Sequence, residues 1–98
     1  MQKPFAVLRT RGSGWDETRP LEEQTDWPAH AAFMDSFAAE GFVALGGPLE
    51  GTRDVLLVFQ AEDCSEIMQR LSADPWIRNG LLSVKECWPW RIRLGSLE

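Results

Sequence analysis

Val55-Leu56-Leu57-Val58-Phe59 is a run of five apolar residues with no polar break. Successive side chains of a strand point to opposite faces, so this stretch presents apolar surface in both directions. Such a strand belongs in a sheet with both faces covered. The rest of the chain has to supply two covers.

On the N-terminal side, Phe42-Val43-Ala44-Leu45 reads as a neighbouring strand, and Gly46-Gly47-Pro48 through Gly51 turns the chain between the two. On the C-terminal side, Asp63 is expected to cap a helix, with Glu66 completing a capping box. The apolar stripe of that helix is Cys64, Ile67, Met68 and Leu71. Asp74-Pro75 should end it, because the residue before a proline is pushed out of the α region. A last strand is expected from about Leu82 to Leu94, with Leu82, Val84, Trp88, Trp90, Ile92 and Leu94 on one face. Pro89 puts this strand at an edge or breaks it there.

Towards the N-terminus, apolar residues recur at Trp27, Phe33, Met34, Phe37 and Ala38, which predicts a helix over 25–40. Thr25 or Asp26 would be its N-cap, Pro28 suits its first turn and Gly41 closes it. Phe5-Ala6-Val7-Leu8-Arg9 is the first strand. Residues 11–24 form a connection rich in Gly, Ser and Glu, a length that in so small a domain points to a functional or mobile loop.

The order is βαββαβ, the ferredoxin-like arrangement: α+β, with a four-stranded antiparallel sheet and two helices on one face. Two helices cover only one face. The expected cover for the other is a second copy of the same sheet, giving a two-fold homodimer.

Ninety-eight residues suffice for one domain, and 44% hydrophobic with 26% charged residues is ordinary for a globular chain. A net charge of −5 and a pI near 4.8 argue against nucleic acid or an anionic membrane as partner. No apolar run has the length of a membrane span and no secretory segment opens the chain, so a cytoplasmic protein is expected. Cys64 and Cys87 stand far apart in no metal-ligand spacing and are expected to be reduced thiols. With one histidine and no clustered acids, neither a metal site nor a cofactor is expected. Leu97-Glu98 resembles a tag junction, leaving residues 1–96 as the domain.

Two polar residues stand out. His30 lies three residues after Trp27, four before Met34 and seven before Phe37, so it points with the core. Asp74, at the end of the second helix, would face the negative end of the helix dipole, which raises its pKa unless a cation or imidazolium is near. His30 would be a suitable partner, and the two would form an acid–base couple. The blander alternatives are a core histidine bonded to backbone, and an aspartate that closes a turn or pairs with Arg70 or Arg78. Arg9 alternates with Phe5 and Val7 on the first strand. It could anchor a substrate carboxylate or an oxyanion, or reach out past the strand end. Trp15 in the long loop and Trp76 after the second helix could wall a pocket, while Trp88 and Trp90 suit core or dimer interface.

Pro28-Ala29-His30, Leu45-Gly46-Gly47-Pro48-Leu49, Asp74-Pro75-Trp76 and Pro89-Trp90, in this order and spacing, resemble the YCII-related (YciI-like) family over residues 4–95. The resemblance implies a dimeric α+β barrel. It also implies an enzyme of unassigned reaction whose catalytic pair corresponds to His30 and Asp74. Relatives include a dehydrochlorinase of chlorinated hydroxyhydroquinones, and the similar barrels include muconolactone isomerases. Many members carry a basic residue where this chain has Trp27, so an anchor for an anionic substrate is not expected at that spot.

The expected activity is proton transfer on a small organic molecule, by isomerisation or elimination of the dehydrochlorination type, in a pocket near the dimer interface. His30 would serve as base and then acid, and Asp74 would hold its tautomer. Arg9, Trp15, Trp27, Gly47, Pro48 and Trp76 would contact substrate, with the 11–24 loop as a lid. The alternative is a non-catalytic, small-ligand-binding or accessory dimeric module.

Overall fold

Alternation of apolar residues along the first strand decides how the sheet is covered. In the computed structural model, which describes residues 2–97, β1 (Lys3–Arg11) turns Phe5, Val7 and Arg9 to one face. β3 (Asp54–Ala61) pairs with it antiparallel, with Phe59 opposite Phe5, Leu57 opposite Val7 and Val55 opposite Arg9. Directly opposed residues share a face, so these six side chains form one surface. With β2 (Val43–Pro48) and β4 (Leu82–Pro89) the sheet runs β2-β3-β1-β4, all antiparallel, which is the ferredoxin-like order.

The helices α1 (Trp27–Ala39) and α2 (Cys64–Leu71) cover the Phe5 face. Phe37, Phe42 and Phe59 pack in a chain of edge contacts, each pair of ring centroids 5.0 Å apart. Ile67 and Leu71 complete this core. The Arg70 guanidinium sits 3.9 Å above the Phe42 ring and pairs with Glu40, closing the core edge with a cation–π contact.

Two bulges alter what simple alternation predicts. Ala44 is an extra residue between Val43, opposite Phe59, and Leu45, opposite Val58. Lys85 is an extra residue between Val84, opposite Arg9, and Glu86, opposite Leu8. One inserted residue reverses which face the following side chains take. Trp88 is therefore opposite Ala6 on the uncovered face, 61% exposed, instead of sharing a face with Leu82 and Val84. The last strand also stops at Pro89, five residues short of the expected Leu94, and is an edge strand as well. Trp90 is neither core nor strand.

The expected turn at Gly46-Gly47-Pro48 is instead part of β2, and the chain reverses after it through Gly51. A Cβ on Gly46 would lie 2.2 Å from Leu57 Cδ2 and 3.1 Å from the Leu56 carbonyl oxygen, so a larger residue here would have to displace the Leu57 side chain.

Helix ends follow the sequence with two exceptions. Asp63 accepts from the Glu66 amide at 2.8 Å, while the Glu66 carboxylate accepts from the Glu62 amide. Met68, expected on the buried stripe, is 46% exposed. Asp26 occupies the N-cap of α1 in a left-handed conformation (φ 62°) without a side-chain cap bond, its carboxylate accepting from the Asn79 amide side chain instead. Asp74 does not end a helix. It starts a new one, α3 (Pro75–Arg78), whose first position takes the proline.

The cysteines are not separate thiols. Cys64, at the start of α2, and Cys87, on β4, form a disulfide with Cα atoms 6.1 Å apart, inside the roughly 4.4–6.8 Å that such bonds need. The Lys85 bulge is what brings Cys87 to the helix-covered face, opposite Val7.

Glu98 of the Leu97-Glu98 pair lies outside the described residues. No described helix is long and apolar enough to cross a membrane.

The bridge closes a loop with a sequence separation of 23. By chain entropy such a loop contributes about 3 kcal/mol. Reduction with dithiothreitol, or Cys87→Ser, is expected to lower the melting temperature by roughly 10–20 °C in a calorimetric scan.

Candidate active site

Three elements meet at Asp74, which has no exposed surface. As N-cap of α3, its Oδ1 accepts from the Trp76 backbone N–H at 2.9 Å. The same oxygen contacts His30 Nδ1, from α1, at 2.8 Å. Oδ2 accepts from Arg9 Nη2, from β1, also at 2.8 Å. Burial pushes the carboxyl pKa up. The His30 bond, the Arg9 charge, the Trp76 amide and the Arg9 hydrogen bond together outweigh it and hold Asp74 below the usual carboxylate range. The upward shift expected from a helix C-terminus does not occur, because Asp74 stands at the start of a helix and beside a guanidinium.

An ionised carboxylate has no proton to donate, so the His30–Asp74 bond requires the proton on Nδ1. Nε2 is then the lone-pair nitrogen, and it has no hydrogen-bond partner among the described residues. The imidazole lies flat on the Trp76 indole, with centroids 3.8 Å apart and planes within 5°. Trp76 is in turn fixed by its Nε1–H, which donates to the Thr25 carbonyl at 2.6 Å. His30 therefore has its position, rotation and tautomer all set by neighbours.

Arg9 is almost fully buried. Burial lowers its pKa, and the charge and hydrogen bond of Asp74 work in the opposite direction. It does not reach past the strand end. Its Nη1 contacts Met34 Sδ at 3.8 Å, and its Nε is a buried donor without a partner among the described residues. Asp74 pairs with neither Arg70 nor Arg78.

A cavity of about 210 Å³ opens beside this cluster, on the helix-covered side of the sheet. His30, Arg9, Trp15, Trp27, Gly47 and Pro48 line it, and so does Trp76. Asp74 sits behind the wall and reaches the cavity through His30 and Arg9. The wall is almost entirely apolar, with Trp15 edge-on to Trp76 at 5.4 Å and Trp27 tilted against it at 5.7 Å. Among the described residues, no group of three His, Cys, Asp or Glu side chains is placed to hold a metal ion.

Seven lining residues were not expected as site residues: Arg11, Leu21, Met34, Gly46, Val55, Leu57 and Leu82. Arg11 follows Arg9 by two positions and so shares its face, a signal present in the sequence. Met34 reads equally well as core. Leu21 opens a 3-10 turn, Leu21–Glu23, that no periodicity marks.

The 11–24 loop is held rather than loose. The buried Gln24 side chain accepts from the Asp16 amide at 2.9 Å and donates to the carbonyls of Asp16 and Arg19, at 2.8 and 2.9 Å. Gly12 N–H donates to the Leu81 carbonyl at 2.8 Å, and a Cβ on Gly12 would strike the Gly80 carbonyl oxygen. The glycines let the loop lie against the chain after α3.

Residues 15–91 match the sequence signature of the YCII-related domain. No curated protein matches the chain. Among solved structures, the chain is similar to 5-chloro-2-hydroxyhydroquinone dehydrochlorinase (TftG) from Burkholderia phenoliruptrix, solved in complex with 2,5-dihydroxybenzoquinone. The TM-score is 0.63 at 20% identity, covering 89% of this chain and 93% of that one, a likeness of fold. Since the matched signature takes in most of its length, this chain belongs to the YCII-related domain family.

Proposed function

We propose that this chain is a small-molecule enzyme working by His/Asp general acid–base chemistry, of the isomerisation or elimination type, without a cofactor. The observation that carries the proposal is a histidine whose Nδ1 is bonded to a buried carboxylate and whose Nε2 is free in a ring lining a cavity. Such a nitrogen can take a proton from a bound molecule, and Asp74 stabilises the imidazolium that results.

In an elimination, Nε2 takes a proton from substrate. The electron pair released forms a new double bond, and a leaving group such as chloride departs with its bonding pair. In an isomerisation the same imidazolium returns the proton to a different atom. The cavity volume lies below the range of about 300–1,000 Å³ typical of drug-sized ligands, which suits a single-ring substrate. The reaction and ligand of the dehydrochlorinase with the same fold make a chlorinated hydroxyhydroquinone the first substrate to try.

The proposed active form is a homodimer. The partly exposed Ala6, Leu8 and Leu56 lie on the uncovered face with the exposed Leu45 and Trp88, around a buried Val58. An apolar face of this extent marks an interaction surface. Gly47, opposite Leu56 on that face, also lines the cavity, so a second chain laid there would approach the rim.

Chloride release from 5-chloro-2-hydroxyhydroquinone, followed with a chloride electrode, tests the chemistry. His30→Gln is expected to lower the rate by at least about 100-fold while leaving the melting temperature within a few degrees. Equal rates in the two proteins would overturn the catalytic assignment.

Stability should also depend on acid. Asp74 has a lower pKa folded than unfolded, so its contribution is complete above about pH 4 and is lost as pH falls through the depressed folded value. Urea midpoints should drop over that window in the wild type, and more shallowly in Asp74→Asn. For the dimer, sedimentation equilibrium is expected to give twice the chain mass. The double variant Leu45→Asp, Trp88→Lys should run as a monomer.

A further inference from the structure

We infer that Arg11 is the anion-binding residue of this cavity, and that its ligand is a planar, single-ring organic molecule bearing a carboxylate. This rests on the proposed small-molecule site and sets its ligand class apart from the chlorinated hydroxyhydroquinone used as a trial substrate, which carries no carboxylate.

The chain carries a net charge of −5, yet no Asp or Glu lines the cavity, whereas Arg9 and Arg11 both do. The two arginines differ in what they have left to give. The charge of Arg9 is matched by Asp74 at 2.8 Å, and its side chain is almost fully buried. Arg11 is half-buried at the end of β1 and has no carboxylate partner among the described residues.

The acids nearest it in the sequence and sheet are engaged elsewhere. Glu17 pairs with Arg53, Asp16 with Thr18 and Arg19, and Asp54 with Lys85. The Arg11 guanidinium instead lies over the Trp15 ring, 4.3 Å from its centroid. Stacking fixes the plane of the guanidinium and leaves its edge N–H groups free.

That edge is a fork matched to a carboxylate, which two parallel N–H donors can hold. Trp15, Trp27 and Trp76 line the same cavity and provide flat apolar surface for a ring. Low-dielectric walls around an unmatched positive charge concentrate anions at the mouth. A neutral ring would gain the stacking and leave the guanidinium without a partner.

Quenching of tryptophan fluorescence by benzoate and by its neutral isostere benzamide tests this on the full chain. Arg11→Met keeps the aliphatic packing on Trp15, and Arg11→Lys keeps the charge without the fork. The expected result is benzoate binding about tenfold tighter than benzamide in the wild type. The preference should be lost in Arg11→Met and partly restored in Arg11→Lys, with benzamide affinity unchanged throughout. Equal binding of both probes would overturn the anion assignment and leave the small-molecule site standing. A benzoate preference that survives Arg11→Met would overturn the assignment to Arg11. Failure of both probes to bind at millimolar concentration would overturn the small-molecule site as well.

Discussion

One ionised carboxylate, sealed from water, sets the terms for the rest of this molecule. Removing such a group from solvent costs several kcal/mol unless its oxygens are fully hydrogen-bonded. Asp74 obtains three donors, from β1, α1 and its own short helix, and two of them lie 65 and 44 residues away in sequence. The demands on the fold follow from that. β1 has to carry an arginine among its inward residues, α1 has to turn a histidine to its buried face, and α3 has to begin at Pro75 so that the Trp76 amide is free. Removing any one donor leaves a buried charge short of a partner, so the three elements are energetically coupled.

The same arrangement prepares the imidazole. Its Nδ1 is committed, its face is covered by Trp76, and Trp76 is fixed from the far side by Thr25. A ring so constrained has little freedom left to lose, and its lone pair keeps one direction. The apolar wall around it also strengthens any charge that develops inside, because few competing dipoles are present to screen it.

Much of this is legible in the sequence, for physical reasons that differ by residue. His30 reveals itself because helical spacing is rigid: a polar residue in phase with Trp27, Met34 and Phe37 has to point inward. Asp74 is conspicuous beside Pro75, although its role as a helix start rather than a helix end is not. A proline after an aspartate serves equally as a stop and as a first position, and only the packing of Trp76 decides between them. The order of strands and helices follows from pattern alone. The faces of β2 and β4 beyond their bulges do not, since one extra residue at Ala44 or Lys85 leaves no mark in composition. The Cys64–Cys87 bond inherits that difficulty, because Cys87 meets the helix only once the bulge has turned it inward. The bonds of Gln24 are equally hidden: a glutamine among loop residues looks like solvated surface.

Those Gln24 bonds bear on how a molecule enters and leaves. The segment expected to act as a lid is already cross-tied, with Glu17 and Arg53 adding a further brace. A wall assembled in advance has little conformational entropy to lose upon occupancy, so that cost falls mainly on the incoming molecule. A preformed wall of this kind leaves the residence time of any occupant to be set mainly by the contacts it makes inside.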